Sequence, residues 1–327
     1  MIQTRVTRKI GTGIDDSRQT GLLDCPIEIL IQIFEYYVSD KLNRLHHLAL
    51  VCKLWNNIVT DIPTLWTHIV ITIVTIPNGS FSHIIDLQLH LVRRFITKSG
   101  DFPLDIHIDL SAIRYRGHFK DLQLLFDLLY AEIHRWRSLY IIFPQNLDLS
   151  QIACQYLYGR PPRLAELGLR DFSMRMSQTT SFTDLPSLKM LVLDSGFAYK
   201  EMVTSFSLAS LQSLDIDLHG FEMWDEGMGA PTWPSDISLA RSLRSLRIRC
   251  SRSGGATYYA KTLERPLLLP LLRKLEICKV ERIGGITFDL PALQTLIFDA
   301  IISKPSPDLA QTHPAEEVIW RPTLDLS

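Results

Sequence analysis

The sequence feature that most constrains the fold is the pattern Leu-x-x-Leu-x-Leu, which recurs in the C-terminal part of this chain. In some copies another large apolar residue replaces one of the leucines. Its seven copies begin at Trp136, Leu164, Leu188, Leu211, Leu243, Leu272 and Leu293, at spacings of 21 to 32 residues. The last two apolar positions of each copy are two residues apart, which places them on one face of a strand. The pattern predicts short units that stack and bury a shared row of leucines. Strands of an ordinary α/β sheet with buried leucines are the alternative.

These copies resemble the units of a leucine-rich-repeat solenoid, which are about 20–29 residues long. Several copies share a lead-in such as Leu185-Pro186-Ser187. The Asn or Cys that the family carries later in each repeat is absent, and these positions hold Gly196, His219 or Ser251. The resemblance therefore predicts an irregular solenoid of parallel strands, with helices or loops of varying length behind them.

Residues 22–69 contain a second apolar region, in which helices follow one another closely. Pro26 suits the first turn of a helix, where its missing N–H has no consequence. Apolar residues then recur at helical spacing through Ile29, Leu30, Ile33, Phe34 and Tyr37. A second stripe runs from Leu42 to Val59 and ends before Pro63. So short a segment cannot bury all of this apolar surface by itself, so we expect a partner to cover part of it.

The residues of this segment closely resemble the F-box motif. The blocks 26–30 (PIEIL), 51–55 (VCKLW) and 63–66 (PTLW) stand in the order and spacing of that family. One departure is Cys25, where the family usually has Leu. The resemblance implies three helices that dock on a Skp-family adaptor and, through it, on a cullin. By position, the adaptor-binding residues would be Pro26, Ile29, Leu30, Ile33, Val51, Cys52, Leu54, Leu65 and Trp66, while Phe34, Trp55 and Ile58 would form the module's own core.

The expected architecture is therefore α/β, with a three-helix F-box followed by the solenoid. We expect five parts: a flexible tail (1–20), the F-box (21–69), connecting strand and helix units (70–135), the solenoid (136–300) and a tail or cap (301–327). Within the connecting part the periodicity predicts a strand from His68, a helix over 84–97 and a strand over 102–109. A second helix is predicted over 121–136, and the string at 94–108 is similar to fungal F-box proteins.

The strand residues between the leucines point to one face, which is the candidate substrate-binding surface. It would carry an acidic patch at Asp194, Asp215 and Asp217 beside a basic patch at Arg247 and Arg249. The basic run also contains Arg241, Arg244 and Arg252. Trp224 and Trp233, in a Gly- and Pro-rich loop over 221–238, are further candidates. As alternatives, the charges only solvate the face, and the loop packs back on the repeats.

Composition argues against several other classes. The net charge of −1 gives no support for a nucleic-acid or membrane-surface partner. Five scattered cysteines without a C-x-x-C pair are typical of reduced thiols, so we expect a cytoplasmic or nuclear location. No apolar run is long enough to span a bilayer.

Signals for catalysis are weak, so we expect no enzyme and no cofactor. No G-x-G-x-x-G, P-loop or H-E-x-x-H motif occurs. Asp105, His107 and Asp109 share a strand face and could in principle hold a metal, but we interpret them as the solvent side of that strand. His46 and His47 are expected on the exposed side of a helix.

The sequence therefore predicts a substrate-recognition subunit of a cullin-RING ubiquitin ligase, whose F-box binds the adaptor while the repeats bind an unidentified target protein. The alternative is an F-box scaffold that binds its adaptor without a role in ubiquitylation.

Overall fold

The computed structural model describes residues 25–38, 44–73, 81–114, 119–144, 156, 161–171, 185–194, 208–217, 237, 240–249, 257–259, 267–278, 282–284, 288–299 and 317–320. The chain divides between Val59 and Thr60 into two compact units. The first unit holds the N-terminal helices, and the second holds a large parallel sheet. The α/β class predicted from the sequence is confirmed.

The N-terminal helices are α1 (Ile27–Val38), α2 (Arg44–Ala49) and α3 (Lys53–Asp61). Three helices in this segment were predicted, and its described residues form three. Their interior includes Phe34, which is fully buried and meets Trp55 edge-to-face with ring centroids 4.8 Å apart. Ile58 is also buried, so Phe34 and Ile58 occupy the core as predicted, while Trp55 is half-buried.

The second unit begins with a 3-10 turn at Pro63–Trp66 and the strand β1 (His68–Thr72). Helix α4 (Phe81–Ser99), strand β2 (Leu104–Asp109), helix α5 (Phe119–Tyr130) and strand β3 (Trp136–Ile142) follow. The strands after β3 are β4 (Glu166–Arg170), β5 (Met190–Asp194), β6 (Ser213–Asp217), β7 (Ser245–Arg249), β8 (Thr257–Tyr259), β9 (Leu267–Leu268), β10 (Lys274–Cys278), β11 (Arg282–Gly284), β12 (Phe288–Asp289), β13 (Thr295–Asp299) and β14 (Glu317–Trp320).

Ten of these strands form one parallel sheet in the order β1-β2-β3-β4-β5-β6-β7-β10-β13-β14. Each strand pairs with the strand of the same sheet that comes before it in the chain. The strands are therefore added in one direction across the sheet. The apolar positions of the repeated pattern stand in register, because Leu167, Leu191 and Leu214 are consecutive partners. These leucines are almost completely buried, so the repeat produces continuous rows of leucine along the inner face.

What lies behind the sheet changes along the chain. Near its start the connections contain α4 and α5, which pack against each other. Near its end they contain short strands instead: β11 pairs with β8, and β12 pairs with β9, both in parallel. Helices or loops were expected behind every strand, so these two small sheets correct that expectation. In these units extended chain satisfies its backbone groups by pairing with the next unit.

The connecting segment agrees with its predicted periodicity, apart from one helix end. Helix α4 ends at Ser99, and Gly100 after it adopts the left-handed conformation (φ +55°) that favours glycine. Helix α5 ends at Tyr130, earlier than the predicted residue 136. Trp136 instead starts β3, where its buried indole N–H donates to the Leu129 carbonyl oxygen at 3.1 Å.

A buried arginine joins the elements at the end of α4. Arg135 is 3% exposed, and its guanidinium donates to three acceptors. These are the Phe102 carbonyl oxygen (3.0 Å), the Ser99 Oγ (2.6 Å) and the Glu132 carboxylate (3.0 Å). A single side chain thus ties the helix end to the segment that enters β2.

Candidate functional site

Helix α1 carries more apolar residues than one buried stripe needs. One side is internal, with Leu30, Phe34 and Val38 buried. Because successive residues are about 100° apart around a helix, Ile29 and Ile33 lie next to this stripe, and each is 44% exposed. The first unit covers the stripe and leaves the apolar surface beside it exposed.

Exposed apolar residues concentrate in this N-terminal region. Among the described residues, eight of the fourteen large apolar side chains that are exposed lie between residues 27 and 54. They are Ile27, Ile29, Ile33, Tyr36, Tyr37, Leu50, Val51 and Leu54. A concentration of this kind marks an interaction surface rather than the scattered exposure of an ordinary monomer.

Six of the nine predicted adaptor-binding residues have accessible side chains. Pro26, Ile29, Ile33, Val51 and Leu54 are exposed, and Cys52 is half-buried. We call this set, together with Ile27 and Leu50, the apolar helix face. Ile27 and Leu50 were not among the predicted adaptor-binding residues. A signal for both was present in the sequence, because this region has more apolar residues than a single helical stripe needs.

The other three predicted adaptor-binding residues are buried within the chain. Leu30 belongs to the interior of the first unit, with 1% of its surface exposed. Leu65 and Trp66 are 1% and 5% exposed and belong to the second unit. The Trp66 ring packs edge-to-face on Phe95 of α4 at 5.1 Å, and Arg94 lies 5.2 Å above it. In this conformation these three side chains are packed inside the chain, and their role in adaptor binding stays a prediction.

The outward face of the sheet carries the predicted substrate-binding charges, and the structure pairs them. Asp194 accepts a hydrogen bond from Arg170 Nε at 2.6 Å. Asp215 accepts from Arg249 Nε at 2.9 Å. Each pair joins neighbouring or near-neighbouring strands, so cation and carboxylate sit side by side on one surface.

The remaining predicted cation, Arg247, continues this network. Its guanidinium lies 3.9 Å from Asp215 and 3.1 Å from Glu276, which also pairs with Lys274 at 3.2 Å. Burial raises the pKa of Glu276, but the hydrogen bond from Lys274 and the charge of Arg247 outweigh it, so its pKa lies below the ordinary value. Burial raises the pKa of Asp215, and Arg249 and Arg247 offset only part of that effect.

The expectation of an acidic patch beside a separate basic patch is therefore corrected. Asp194 and Asp217 are both buried, at 7% and 0% exposure, so neither presents a free carboxylate to a large partner. The charges lie on five strands and form two groups, an Arg170–Asp194 pair and a network that joins Asp215, Arg247, Arg249, Glu276 and Lys274. In both groups cations alternate with carboxylates. Trp224, Trp233 and Arg252 lie outside the described residues.

A glycine in β4 creates room for an aromatic ring on the same face. Tyr140 lies over Gly168, and a Cβ added there would be 1.9 Å from the tyrosine Cδ2 atom. On the other side, the His107 ring meets Tyr140 with centroids 5.0 Å apart. Burial lowers the pKa of His107 and raises that of Tyr140.

We expect Gly168→Val to displace the Tyr140 ring and to lower the free energy of unfolding by about 1–3 kcal/mol, as over-packing does. Chemical denaturation measures this loss. Combining it with Tyr140→Ala removes the clash and is expected to restore part of the loss. No recovery in the double variant would show that the strain lies elsewhere.

The candidate metal group on β2 is engaged with neighbouring side chains. Asp105 binds Arg137 through both carboxylate oxygens and lies 3.3 Å from the His68 ring. Within the described ranges no cluster of His, Cys, Asp and Glu has a metal-binding arrangement.

In that same part of the chain, no helix combines the length and apolar character needed to cross a membrane.

Comparison with known families identifies the N-terminal region. Residues 22–72 match a family model described as F-box-like, and the match ends at the last residue of β1. A search of curated proteins gives no match to the chain. The sequence resemblance noted for residues 22–69 is thereby confirmed by an independent comparison.

Proposed function

Because residues 22–72 match an F-box-like family model, we propose that this chain is the substrate-recognition subunit of an SCF-type ubiquitin ligase. F-box domains bind Skp-family adaptors, and they are generally found on subunits that carry no catalytic site. The F-box-like domain thus indicates adaptor binding, and the proposal extends this role to the cullin and to a target protein.

The apolar helix face is the observation that carries the proposal. Interfaces of this kind depend on a few aliphatic or aromatic anchors inserted into a groove of the partner. Ile29, Ile33 and Leu54 have the size and exposure that such anchors need. Leu65 and Trp66, which are buried in this conformation, stay predicted adaptor-binding residues by the family resemblance alone.

The sheet supports the second half of the proposal. Parallel strands in chain order, with leucines in register and a Pro-containing turn before several of them, agree with an irregular leucine-rich-repeat array. Such an array offers one broad outward surface. We infer that this surface holds the target, with the complex located in the cytoplasm, the nucleus or both.

We expect the double variant Ile33→Asp, Leu54→Asp to lose binding to a Skp-family adaptor by at least about a hundredfold, since each charge enters a position meant for an apolar anchor. Co-expression and biolayer interferometry with the purified adaptor measure the effect. The matched control is Leu87→Asp with Leu124→Asp, which alters residues of similar exposure on α4 and α5. Equal loss in both variants, or no loss in the first, would contradict the assignment of this face.

A second measurement separates the receptor from a scaffold without ubiquitylation. Both co-purify with the adaptor, but only the receptor also brings a cullin and shortens the lifetime of a bound protein. We expect the cullin to co-purify with the wild type and to be lost with Ile33→Asp, Leu54→Asp. Adaptor binding without any cullin would favour the scaffold.

A further inference from the structure

A row of exposed cations lies at the edge of the sheet where the strands begin. Successive backbone hydrogen bonds define this row, from Gln212 N–H to the Lys189 oxygen, from Arg244 N–H to the Gln212 oxygen and from Arg273 N–H to the Arg244 oxygen. The side chains of Lys189, Gln212, Arg244 and Arg273 are all exposed. We call Lys189, Arg244 and Arg273, with Arg241 in the turn before β7, the basic rim.

In the part of the chain that the structure describes, the basic rim differs from the charges on the outward face in having no carboxylate partners. The outward carboxylates are engaged with other cations, since Asp215 binds Arg249 and Glu276 binds Lys274 and Arg247. Among the described residues, no ion pair involves Lys189, Arg241, Arg244 or Arg273. No described carboxylate neutralises this surface, although the chain as a whole has a net charge of −1.

Adjacent like charges on neighbouring strands oppose folding unless something compensates them. Arg244 and Arg273 directly precede two neighbouring strands, β7 and β10, and strands in a sheet are about 4.8 Å apart. Like charges placed opposite each other in this way are destabilising. An anionic partner would turn that repulsion into attraction, which is the arrangement expected of a recognition surface.

The distribution of the cations indicates which anion fits. From Lys189 to Arg273 the row covers three strand steps, or about 14 Å. One phosphate group could reach only part of this length, whereas an extended peptide with several carboxylates could reach all of it. Leu271, 49% exposed in the turn before Arg273, adds an apolar contact that a protein segment can use and a nucleic acid would not need.

We propose that the basic rim binds an acidic segment, rich in Asp and Glu, of the protein that this chain recognises. The inference rests on the proposed receptor function and gives the target a chemical class. It also adds the basic rim to the outward face as a contact for the target, because the charges predicted from the sequence neutralise one another while the rim has no carboxylate partner among the described residues.

The test uses the full chain and a fluorescent peptide of alternating Asp and Ser residues, with an Asn-Ser peptide of equal length as the uncharged probe. We expect fluorescence anisotropy to show binding of the Asp-Ser peptide only, weakening as salt screens the charges. The variant Lys189→Glu, Arg244→Glu, Arg273→Glu should bind it about tenfold more weakly or worse. The control variant Arg93→Glu, Arg114→Glu, Lys120→Glu changes the net charge equally, at exposed residues away from the row.

Each outcome decides the proposal. Equal weakening in both variants would mean attraction by overall charge and would overturn a specific rim. Binding of a single-phosphoserine peptide without binding of the Asp-Ser peptide would overturn the choice of carboxylates, and binding of single-stranded DNA in preference to both would overturn a protein partner. Adaptor binding by the rim variant is measured in parallel, so failure of the rim is distinguishable from failure of the receptor function.

Discussion

Replacing Trp66 with alanine is expected to lower the free energy of unfolding of the second unit by about 3–5 kcal/mol, the usual cost of truncating a large buried aromatic residue. The indole is 5% exposed and packs on Phe95 and under Arg94, both on α4. Its removal leaves a cavity between the 3-10 turn and that helix, and the cation–π contact with Arg94 is lost as well. Urea unfolding followed by circular dichroism measures the change.

The matched control for Trp66→Ala is Leu87→Ala, which truncates a residue on α4, the helix that Trp66 packs against. Leu87 is 53% exposed, so its truncation is expected to cost less than about 1 kcal/mol. If Trp66→Ala instead left stability unchanged and selectively abolished adaptor binding, the side chain would be available to a partner in solution. The docking role implied by the family resemblance would then hold for Trp66.

Replacing Arg135 with leucine is expected to lower the free energy of unfolding by about 3 kcal/mol. The substitution removes three hydrogen bonds from a buried cation, and each bond to a charged group is worth about 1.5–3 kcal/mol with incomplete additivity. It also leaves the Ser99 hydroxyl and the Phe102 carbonyl oxygen without their donor in a poorly hydrated site. Urea unfolding and hydrogen exchange of the amides at the end of α4 measure the loss.

Arg137→Leu is the natural comparison, because it removes a neighbouring arginine that also binds a carboxylate. The Arg137 side chain is 51% exposed, and exposed ion pairs contribute about 0–1 kcal/mol. We therefore expect Arg135→Leu to be the more damaging change by a wide margin. Similar losses in the two variants would show that burial of Arg135 is not what makes it important.

Local periodicity predicted most of the secondary structure, since it depends on residues close together in sequence. Alternating Ile and polar residues over 104–109 form β2, and the three- and four-residue spacing over 84–97 lies within α4. The early end of α5 was not predictable in this way. Trp136 continues the helical spacing, but its burial in the sheet places it on a strand.

Part of the candidate site was also readable from the chain. Pro26, Ile29, Ile33, Val51 and Leu54 were identified from the motif, and each is exposed. The same motif carried Leu30, Leu65 and Trp66, which are buried. A motif records which residue types occur, whereas exposure depends on what else in the chain packs on them.

The sequence by itself determined that leucines recur at strand spacing, that apolar residues exceed what three short helices can bury, and that cations cluster near residue 245. Only the tertiary structure decided which charges are neutralised. Arg170 meets Asp194 across 24 residues of chain, and Arg249 meets Asp215 across 34, whereas Arg244 and Arg273 meet no carboxylate among the described residues. The reason is that ion pairing depends on distances of a few ångströms, which strand register sets and sequence separation does not.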